Sequence, residues 1–222
     1  EAAMTRTALA ALALICAIAP AAAQTPPRIV TWNCSGCHGL DGNTSWPQVP
    51  RLAGQNATYF ANQIKAFQLA PEVHVWQLPA WISAPPEPPP GARAEPASRT
   101  FMIGMAKSID EAATKQAAAW YAAQRPGPGR PGDVLASERG REIFSKGLPA
   151  AGVIACQDCH GAQGQGLGDF PRLAGQNADY TVRQLLAFRA GTRGHSPTMK
   201  SEANSLSPEQ MRDLAVWLQS QP

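Results

Sequence analysis

The sequence has little of several features that mark whole classes of protein. Its 222 residues include five cysteines, too few for a disulfide-dense scaffold of this length. The formal net charge is only +3, and no run of five or more basic residues occurs, which argues against a nucleic-acid partner. Nineteen glycines and 21 prolines stay below the levels of collagen-like or disordered chains. With 44% hydrophobic residues, the chain can bury the core of one large domain or two small ones.

Long apolar runs are also absent, apart from one short run near the N-terminus. Residues 8–19 follow Arg6 and precede the small residues 21–23, which is the pattern of a cleaved secretory signal. A membrane span needs about 20 apolar residues, so an uncleaved anchor is the less favoured alternative. Cleavage of residues 1–23 would remove Cys16, and we expect the mature chain to be exported to a bacterial periplasm.

The four remaining cysteines belong to an internal repeat. The motif Cys-x-x-Cys-His occurs at residues 34–38 and again at 156–160. The block Pro-Arg-Leu-Ala-Gly-Gln-Asn-Ala occurs at 50–57 and returns at 171–178. Two copies are too few for a solenoid, which needs at least three units. The repeat therefore predicts two related domains in tandem.

A stretch of alternating proline and glycine marks the domain boundary. Residues 125–132 cannot hold a helix or a strand and predict a short, semi-stiff linker. The predicted domains are residues 24–124 and 133–222. The first copy is longer by 24 residues and contains an insert at about 68–101, whose proline-rich run at 85–90 we expect to form an extended surface loop. Two tryptophans in it either pack the loop onto the domain or present an apolar docking face: Trp76 and Trp81.

Helical periodicity dominates the mature sequence. Ser207, Pro208 and Gln210 form an N-terminal capping pattern, and Met211 and Leu214 continue as an apolar stripe at helical spacing. No segment alternates convincingly between apolar and polar residues, as a half-buried strand does. The sequence predicts an all-α fold of two domains, with a helix after Ser207 and others at about 56–66, 110–124, 133–146 and 177–190.

The Cys-x-x-Cys-His motif is the attachment signature of haem c. Two thiols reach the two vinyl groups of one porphyrin, the two intervening residues set that reach within one turn, and the following histidine binds the iron. A thioredoxin-like redox pair would need an α/β pattern, a zinc site would not explain the histidines, and structural disulfides would not enforce one motif twice. We therefore expect two covalently bound haem c groups, held by Cys34, Cys37 and His38 and by Cys156, Cys159 and His160.

A methionine in each copy is placed to complete the coordination of the iron. Met199 lies 39 residues after His160, and Met102 lies 64 after His38, or 40 once the 24 extra residues are subtracted. A thioether ligand favours Fe(II) and raises the potential, as an electron carrier needs. Met105 is the competing candidate in the first copy.

Three other residues are weaker candidates for an iron ligand. His195 could replace Met199, but the first copy has no histidine at the matching place, so we interpret it as a surface residue. His74 lies in the insert, and Met211 lies on the apolar stripe of the last helix, where a core role is favoured.

Residues after each motif are candidates to support the haem. Pro50 and Pro171 lie 12 and 11 residues beyond the ligand histidines, and their carbonyls could accept from the ring N–H and orient it. Arg51 and Arg172 could pair with haem propionates, with a solvated surface position as the alternative.

Two tandem Cys-x-x-Cys-His domains, each followed by Pro-Arg-Leu-Ala-Gly-Gln and a late methionine before a capped helix, resemble the dihaem cytochrome c4 family. The dihaem subunit of flavocytochrome c sulfide dehydrogenase is similar. The resemblance implies two class I cytochrome c domains with a pseudo-twofold relation, and single-electron transport in the periplasm, often to terminal oxidases. It also implies His/Met ligation at both irons, by His38 with Met102 and by His160 with Met199.

Two departures from the family pattern lie in the first domain. Only residues 26–32 precede the first motif, so this domain lacks an N-terminal helix comparable to 133–146, and its insert is not part of the usual pattern. We hypothesise that the insert and an uncovered haem edge form the contact with a redox partner.

The function predicted is that of an electron carrier rather than an enzyme. The donor would be a dehydrogenase or a quinol-oxidising complex, and the acceptor a terminal oxidase or another cytochrome, with membrane contact only through partners or an uncleaved anchor. The alternative is a tightly bound electron-transfer subunit of a periplasmic dehydrogenase. A dihaem peroxidase is less favoured because it needs an open or displaceable sixth position, and a non-redox binding module would not need haem.

Overall fold

The structure, a computed structural model, describes residues 25–70, 97–193 and 196–222. The predicted signal peptide, the tryptophans and His74 of the insert, and His195 lie outside these ranges. We use domain 1 for the described residues before the linker and domain 2 for those after it.

The described residues fold into helices, with no strand among them beyond an isolated bridge between Leu148 and Val153. The predicted all-α fold is confirmed. Domain 1 contains α1 (Ser35–His38), α2 (Ala57–Gln68), α3 (Ala97–Ala106) and α4 (Glu111–Ala123). Domain 2 contains α5 (Val134–Lys146), α6 (Gln157–His160), α7 (Ala178–Ala190), α8 (Pro197–Asn204) and α9 (Pro208–Ser220). None of these helices is both long and apolar enough to be a candidate for crossing a membrane.

Side-chain caps start helices α2, α4, α5 and α9 where the sequence predicts them, whereas α7 has no side-chain cap. At α9, the Ser207 hydroxyl accepts from the Gln210 N–H while the Gln210 side chain accepts from the Ser207 N–H, a complete capping box. The carboxylates of Asp110 and Asp133 accept in the same way from backbone N–H groups in the first turns of α4 and α5, and the Asn56 side-chain oxygen does so at α2. These local signals explain why helix positions could be predicted well.

Helices α3 and α8, which carry Met102 and Met199, were not predicted. Helix α8 has a readable start, because the Ser196 hydroxyl accepts from the Met199 N–H and Pro197 occupies the first turn. Helix α3 begins with Ala97, inside the insert predicted at about 68–101, where the sequence offers no cap signal.

Each domain has its own apolar core. In domain 2, α5 packs along α9, and the rings of Phe144 and Trp217 lie with centroids 4.5 Å apart. Domain 1 has no counterpart of α5 among its described residues. A single π-helical segment, Val30–Cys34, precedes α1, and its Val30 is fully buried in the core of α2 and α4. The sequence expectation of a much shortened N-terminal element agrees with this arrangement.

The linker is extended and is held by both domains. Residues 125–133 contain no helix or strand. The Asn43 amide of domain 1 donates to the Arg125 carbonyl at 3.0 Å and accepts from the Gly127 N–H at 2.7 Å. On the other side, the Arg130 N–H donates to the Gln219 carbonyl of α9 at 2.9 Å. These bonds tie the linker to both domains and keep the domains in contact.

Candidate haem-binding cavity

One cavity of about 1950 Å³ runs across the interface between the two domains. A pocket for a single small ligand occupies about 300–1,000 Å³, so this space is large enough for two such ligands. Its lining is mostly apolar and includes the cysteines and histidines of both Cys-x-x-Cys-His motifs, together with Met102, Met105 and Met199.

Each Cys-x-x-Cys-His motif forms one helical turn that ends at the histidine. Helix α1 ends at His38 and α6 ends at His160, and both histidines are 7% exposed. The glycine that follows each has a positive φ, 80° at Gly39 and 81° at Gly161, which L side chains adopt only with strain. This turn directs the chain away from the histidine while the ring stays at the cavity wall.

Both histidine rings are oriented by a proline carbonyl. His38 Nδ1 lies 3.0 Å from the Pro50 oxygen, and His160 Nδ1 lies 3.1 Å from the Pro171 oxygen, which is the contact the spacing suggests. The bond makes Nδ1 the protonated nitrogen and leaves Nε2 for an iron. Burial lowers the pKa of both rings, and the bond to the carbonyl opposes this only in part. The neutral ring that iron ligation requires is therefore favoured.

The four cysteines of the motifs line the cavity, and none of them pairs with another in a disulfide. Burial raises the pKa of Cys34 to about 11, and burial with a smaller contribution from Glu202 raises that of Cys156 to about 11. Within the described ranges, no three or more His, Cys, Asp or Glu side chains cluster closely enough to hold a metal ion between them.

The two predicted methionine ligands occupy matching places. Met102 packs against the core cluster of domain 1 that also contacts Cys34, and Met199 packs against the cluster of domain 2 that contacts Cys156. Met105 also borders the cavity but is not part of the domain 1 cluster. Met211 of α9 is fully buried in the core of domain 2, as its place on the apolar stripe indicates.

The arginines predicted to meet haem propionates border the cavity and bind backbone oxygens. Arg51 Nη1 donates to the Pro128 carbonyl at 3.3 Å and to the Gly175 carbonyl at 3.1 Å, while Arg172 Nη2 donates to the Pro222 carbonyl. Partial burial lowers the pKa of both guanidinium groups. Arg51 thus links domain 1 to the linker and to domain 2, a role that the sequence reading did not include.

Sequence reasoning also missed polar side chains at the domain interface. Arg193 of domain 2 is 5% exposed and donates to the Tyr59 hydroxyl at 2.6 Å and to Gln63 Oε1 at 2.8 Å, both in domain 1. Gln55 and Gln176 each bind backbone atoms of the other domain. The two glutamines occur in the repeated block, so the repeat itself was the signal that marked them.

Comparisons with known proteins agree with this geometry. The cytochrome c family profile matches residues 137–222. Cytochrome c-552 of Acidithiobacillus ferridurans is 35% identical over 92% of this chain and 80% of its own length, and cytochrome c4 of Thiocapsa roseopersicina is 32% identical over 84% and 85%. A protein of Thiomonas intermedia named thiosulfate dehydrogenase electron acceptor is 30% identical over 97% of this chain and 90% of its own.

A solved structure extends the likeness to the fold. The cytochrome c4 of Acidithiobacillus ferrooxidans superimposes with a TM-score of 0.68 at 33% identity, covering 85% of this chain and 98% of that one. The cavity, the thiol pairs and the oriented histidines fit two haem c groups, and the similarity covers both domains. The chain therefore belongs to the cytochrome c4 family, and it is an electron carrier with covalently bound haem c.

Proposed function

We propose that His38 with Met102, and His160 with Met199, bind the two haem irons, and that the protein passes single electrons between a periplasmic donor and an acceptor such as a terminal oxidase. The bound haems supply one-electron chemistry between Fe(III) and Fe(II). The observation that carries the proposal is the single cavity, which both motifs and both methionines border.

The chain's own residues contribute orientation, ligation and exclusion of water. The proline carbonyls hold each histidine in one tautomer, and the apolar lining keeps water from the sites. Because one cavity serves both domains, an electron can pass from one site to the other without leaving the protein. The pattern of residues 1–23 supports export to the periplasm.

A second candidate is the role of electron acceptor for a dehydrogenase that oxidises a sulfur compound. The relative from Thiomonas intermedia, which is similar over 97% of this chain, supports it. The two candidate functions differ in the electron donor and in how tightly the protein binds that donor.

Three variants test the ligand set. In the oxidised protein, Met102→Ala and Met199→Ala should each remove about half of the far-red absorption band that marks methionine-bound Fe(III). Met105→Ala is the matched control, since this residue also borders the cavity, and it should leave the band unchanged. Loss of the band in Met105→Ala but not in Met102→Ala would assign the ligand to Met105 instead.

Two further measurements test the cofactor count and the partner. The mass of the purified protein should exceed that of the mature chain by two haem groups. Purification from the native host should show whether a dehydrogenase travels with the protein. Rapid-mixing kinetics with a thiosulfate dehydrogenase and with a terminal oxidase should then show which of them exchanges electrons with it.

A further inference from the structure

Two glutamines cross the domain interface in a reciprocal arrangement. Gln176 of domain 2 accepts from the Arg51 N–H at 2.8 Å through Oε1, and its Nε2 donates to the Arg51 carbonyl at 3.1 Å. Gln55 of domain 1 makes the same two bonds to Arg172, at 2.9 and 3.0 Å. Both side chains are only 7% exposed. Each glutamine thus binds both the backbone N–H and the backbone carbonyl of one residue of the other domain.

Arg51, which Gln176 binds, follows the proline whose carbonyl orients His38. The Pro50 carbonyl and the Arg51 N–H are the two ends of one peptide group. That carbonyl accepts from His38 Nδ1 at 3.0 Å, while the N–H donates to Gln176. A continuous chain of hydrogen bonds therefore joins the histidine of domain 1 to an amide of domain 2.

A second, equivalent chain of hydrogen bonds joins the histidine of domain 2 to an amide of domain 1. His160 Nδ1 lies 3.1 Å from the Pro171 carbonyl, which shares its peptide group with the Arg172 N–H. This N–H donates to Gln55 of domain 1. Each histidine is therefore connected, through one peptide group, to a side chain of the opposite domain.

Neighbouring groups fix the orientation of both amides. Gln176 Oε1 also accepts from the Asn177 N–H at 2.9 Å, and Gln55 Oε1 accepts from the Asn56 N–H at 2.9 Å. An amide turned by 180° would place its NH₂ group against two N–H donors and leave all of them unsatisfied. The oxygen of each glutamine consequently stays on the peptide N–H.

Hydrogen bonds in such a chain strengthen one another. A peptide group is conjugated, so an acceptor at its N–H increases the negative charge on its carbonyl oxygen. The strengthening is about 10–30% per bond. With Gln176 in place, the Pro50 carbonyl accepts more strongly from His38, and the imidazole becomes a more electron-rich ligand. A more electron-rich ligand stabilises Fe(III) relative to Fe(II).

We propose that Gln55 and Gln176 are positioning residues that act across the domain interface. Each sets the acceptor strength of the carbonyl that holds the histidine of the other domain, and so adjusts the reduction equilibrium of the neighbouring domain's haem. This inference rests on the proposed function, in which His38 and His160 bind the irons.

Near-isosteric variants of the complete haem-bound protein test the proposal. Gln176→Met should favour reduction of the domain 1 haem by about two- to fivefold in the equilibrium constant and change the domain 2 haem less. Gln55→Met should give the reverse pattern. The two equilibria are measured by redox titration with domain-assigned haem resonances in NMR spectra. Amide hydrogen exchange at Arg51 should accelerate in Gln176→Met.

A control variant at the same interface separates this role from a purely structural one. Gln63→Met removes the contact to Arg193 between the domains and touches neither peptide group, so it should produce no crossed pattern. The proposal is overturned if Gln176→Met shifts the haem of its own domain as much as that of domain 1, or if exchange at Arg51 is unchanged. If Gln176→Met does not bind two haems, Gln55→Met tests the same idea from the other side.

The two levels of interpretation can fail separately. A wild-type spectrum without histidine–methionine ligation would refute the proposed function. A normal spectrum with two haems, combined with no crossed shift in either variant, would refute only the action of the glutamines.

Discussion

A single glycine in α5 decides how closely two helices of domain 2 approach. A Cβ added at Gly140 would collide with the Asp213 carbonyl oxygen, would lie 2.5 Å from its carbon, and would lie 3.0 Å from the Leu214 nitrogen. All three atoms belong to the backbone of α9 and cannot rotate away. An ordinary contact of 3.4 Å with the Asp213 carbon alone requires α5 and α9 to separate by about 0.9 Å, and the closer carbonyl oxygen requires more.

The separation of the helices costs packing energy, whereas the change from glycine to alanine favours the helix itself. A gap of about 0.5–1 Å already removes a quarter to a half of the dispersion energy of each contact between α5 and α9, where Phe144 packs on Trp217. Overpacking of this kind costs about 1–3 kcal/mol, and the backbone contact places Gly140→Ala near the upper end. Alanine is better than glycine inside a helix by about 1 kcal/mol. The net loss in free energy of unfolding should be about 2 kcal/mol.

Guanidinium unfolding of the oxidised holoprotein, combined with hydrogen exchange resolved by domain, measures this loss. With a slope of about 4 kcal/mol per molar, the midpoint for domain 2 should fall by about 0.5 M, and exchange in α9 should accelerate. Glu138→Ala, an exposed position of the same helix, is the control and should change little. A midpoint that rises in Gly140→Ala would mean that helix propensity dominates, and the close-contact argument would be refuted.

Two further predictions concern buried and charged groups. Arg193→Met removes the bonds to Tyr59 and Gln63 and should lower the free energy of unfolding by about 2–3 kcal/mol, with faster amide exchange in the interface loops of both domains. The pKa of Asp41 is lowered, chiefly by the Asn43 N–H that donates to its carboxylate. That carboxylate therefore stabilises the folded state above its ordinary pKa of 3.8, and the contribution is lost as pH falls through the lower folded-state value. Asp41→Asn should destabilise the protein at about pH 6 and much less at about pH 3, as measured by urea unfolding at both values.

Most of the fold could be predicted because its signals are local. A capping pattern followed by an apolar stripe identified α9, and the helical pattern of the two copies identified α4, α5 and α7 to within a few residues. The start of α8 is equally readable in Ser196 and Pro197, whereas α3 begins within the insert without such a mark. Helix ends are set by neighbours in sequence, which is why this level is accessible before any tertiary contact is known.

The candidate site could be predicted only as far as the repeat and the motif chemistry reach. Both cysteine pairs, the histidines and the proline carbonyls follow from spacing, and the two bonds to Pro50 and Pro171 are present in the structure. The partners of Arg51 and Arg193 could not be predicted, because they lie in the other domain or in the linker. Contacts across an interface depend on how two folded surfaces meet, and residue spacing within one copy contains no information about that.

The interface explains why the two copies match best in one block. A twofold-related contact uses the same patch on both sides, so a residue that serves one domain must be repeated to serve the other. Gln55 holds Arg172 while Gln176 holds Arg51, and each of the four belongs to the eight-residue identity. Among the described residues, the N-terminal helix α5 has no counterpart in domain 1, and it takes no part in these reciprocal bonds. The block is therefore constrained twice: its proline carbonyl accepts from the histidine of its own domain, and the next backbone N–H donates to the glutamine of the other domain. The glutamine variants measure the coupling between these two bonds.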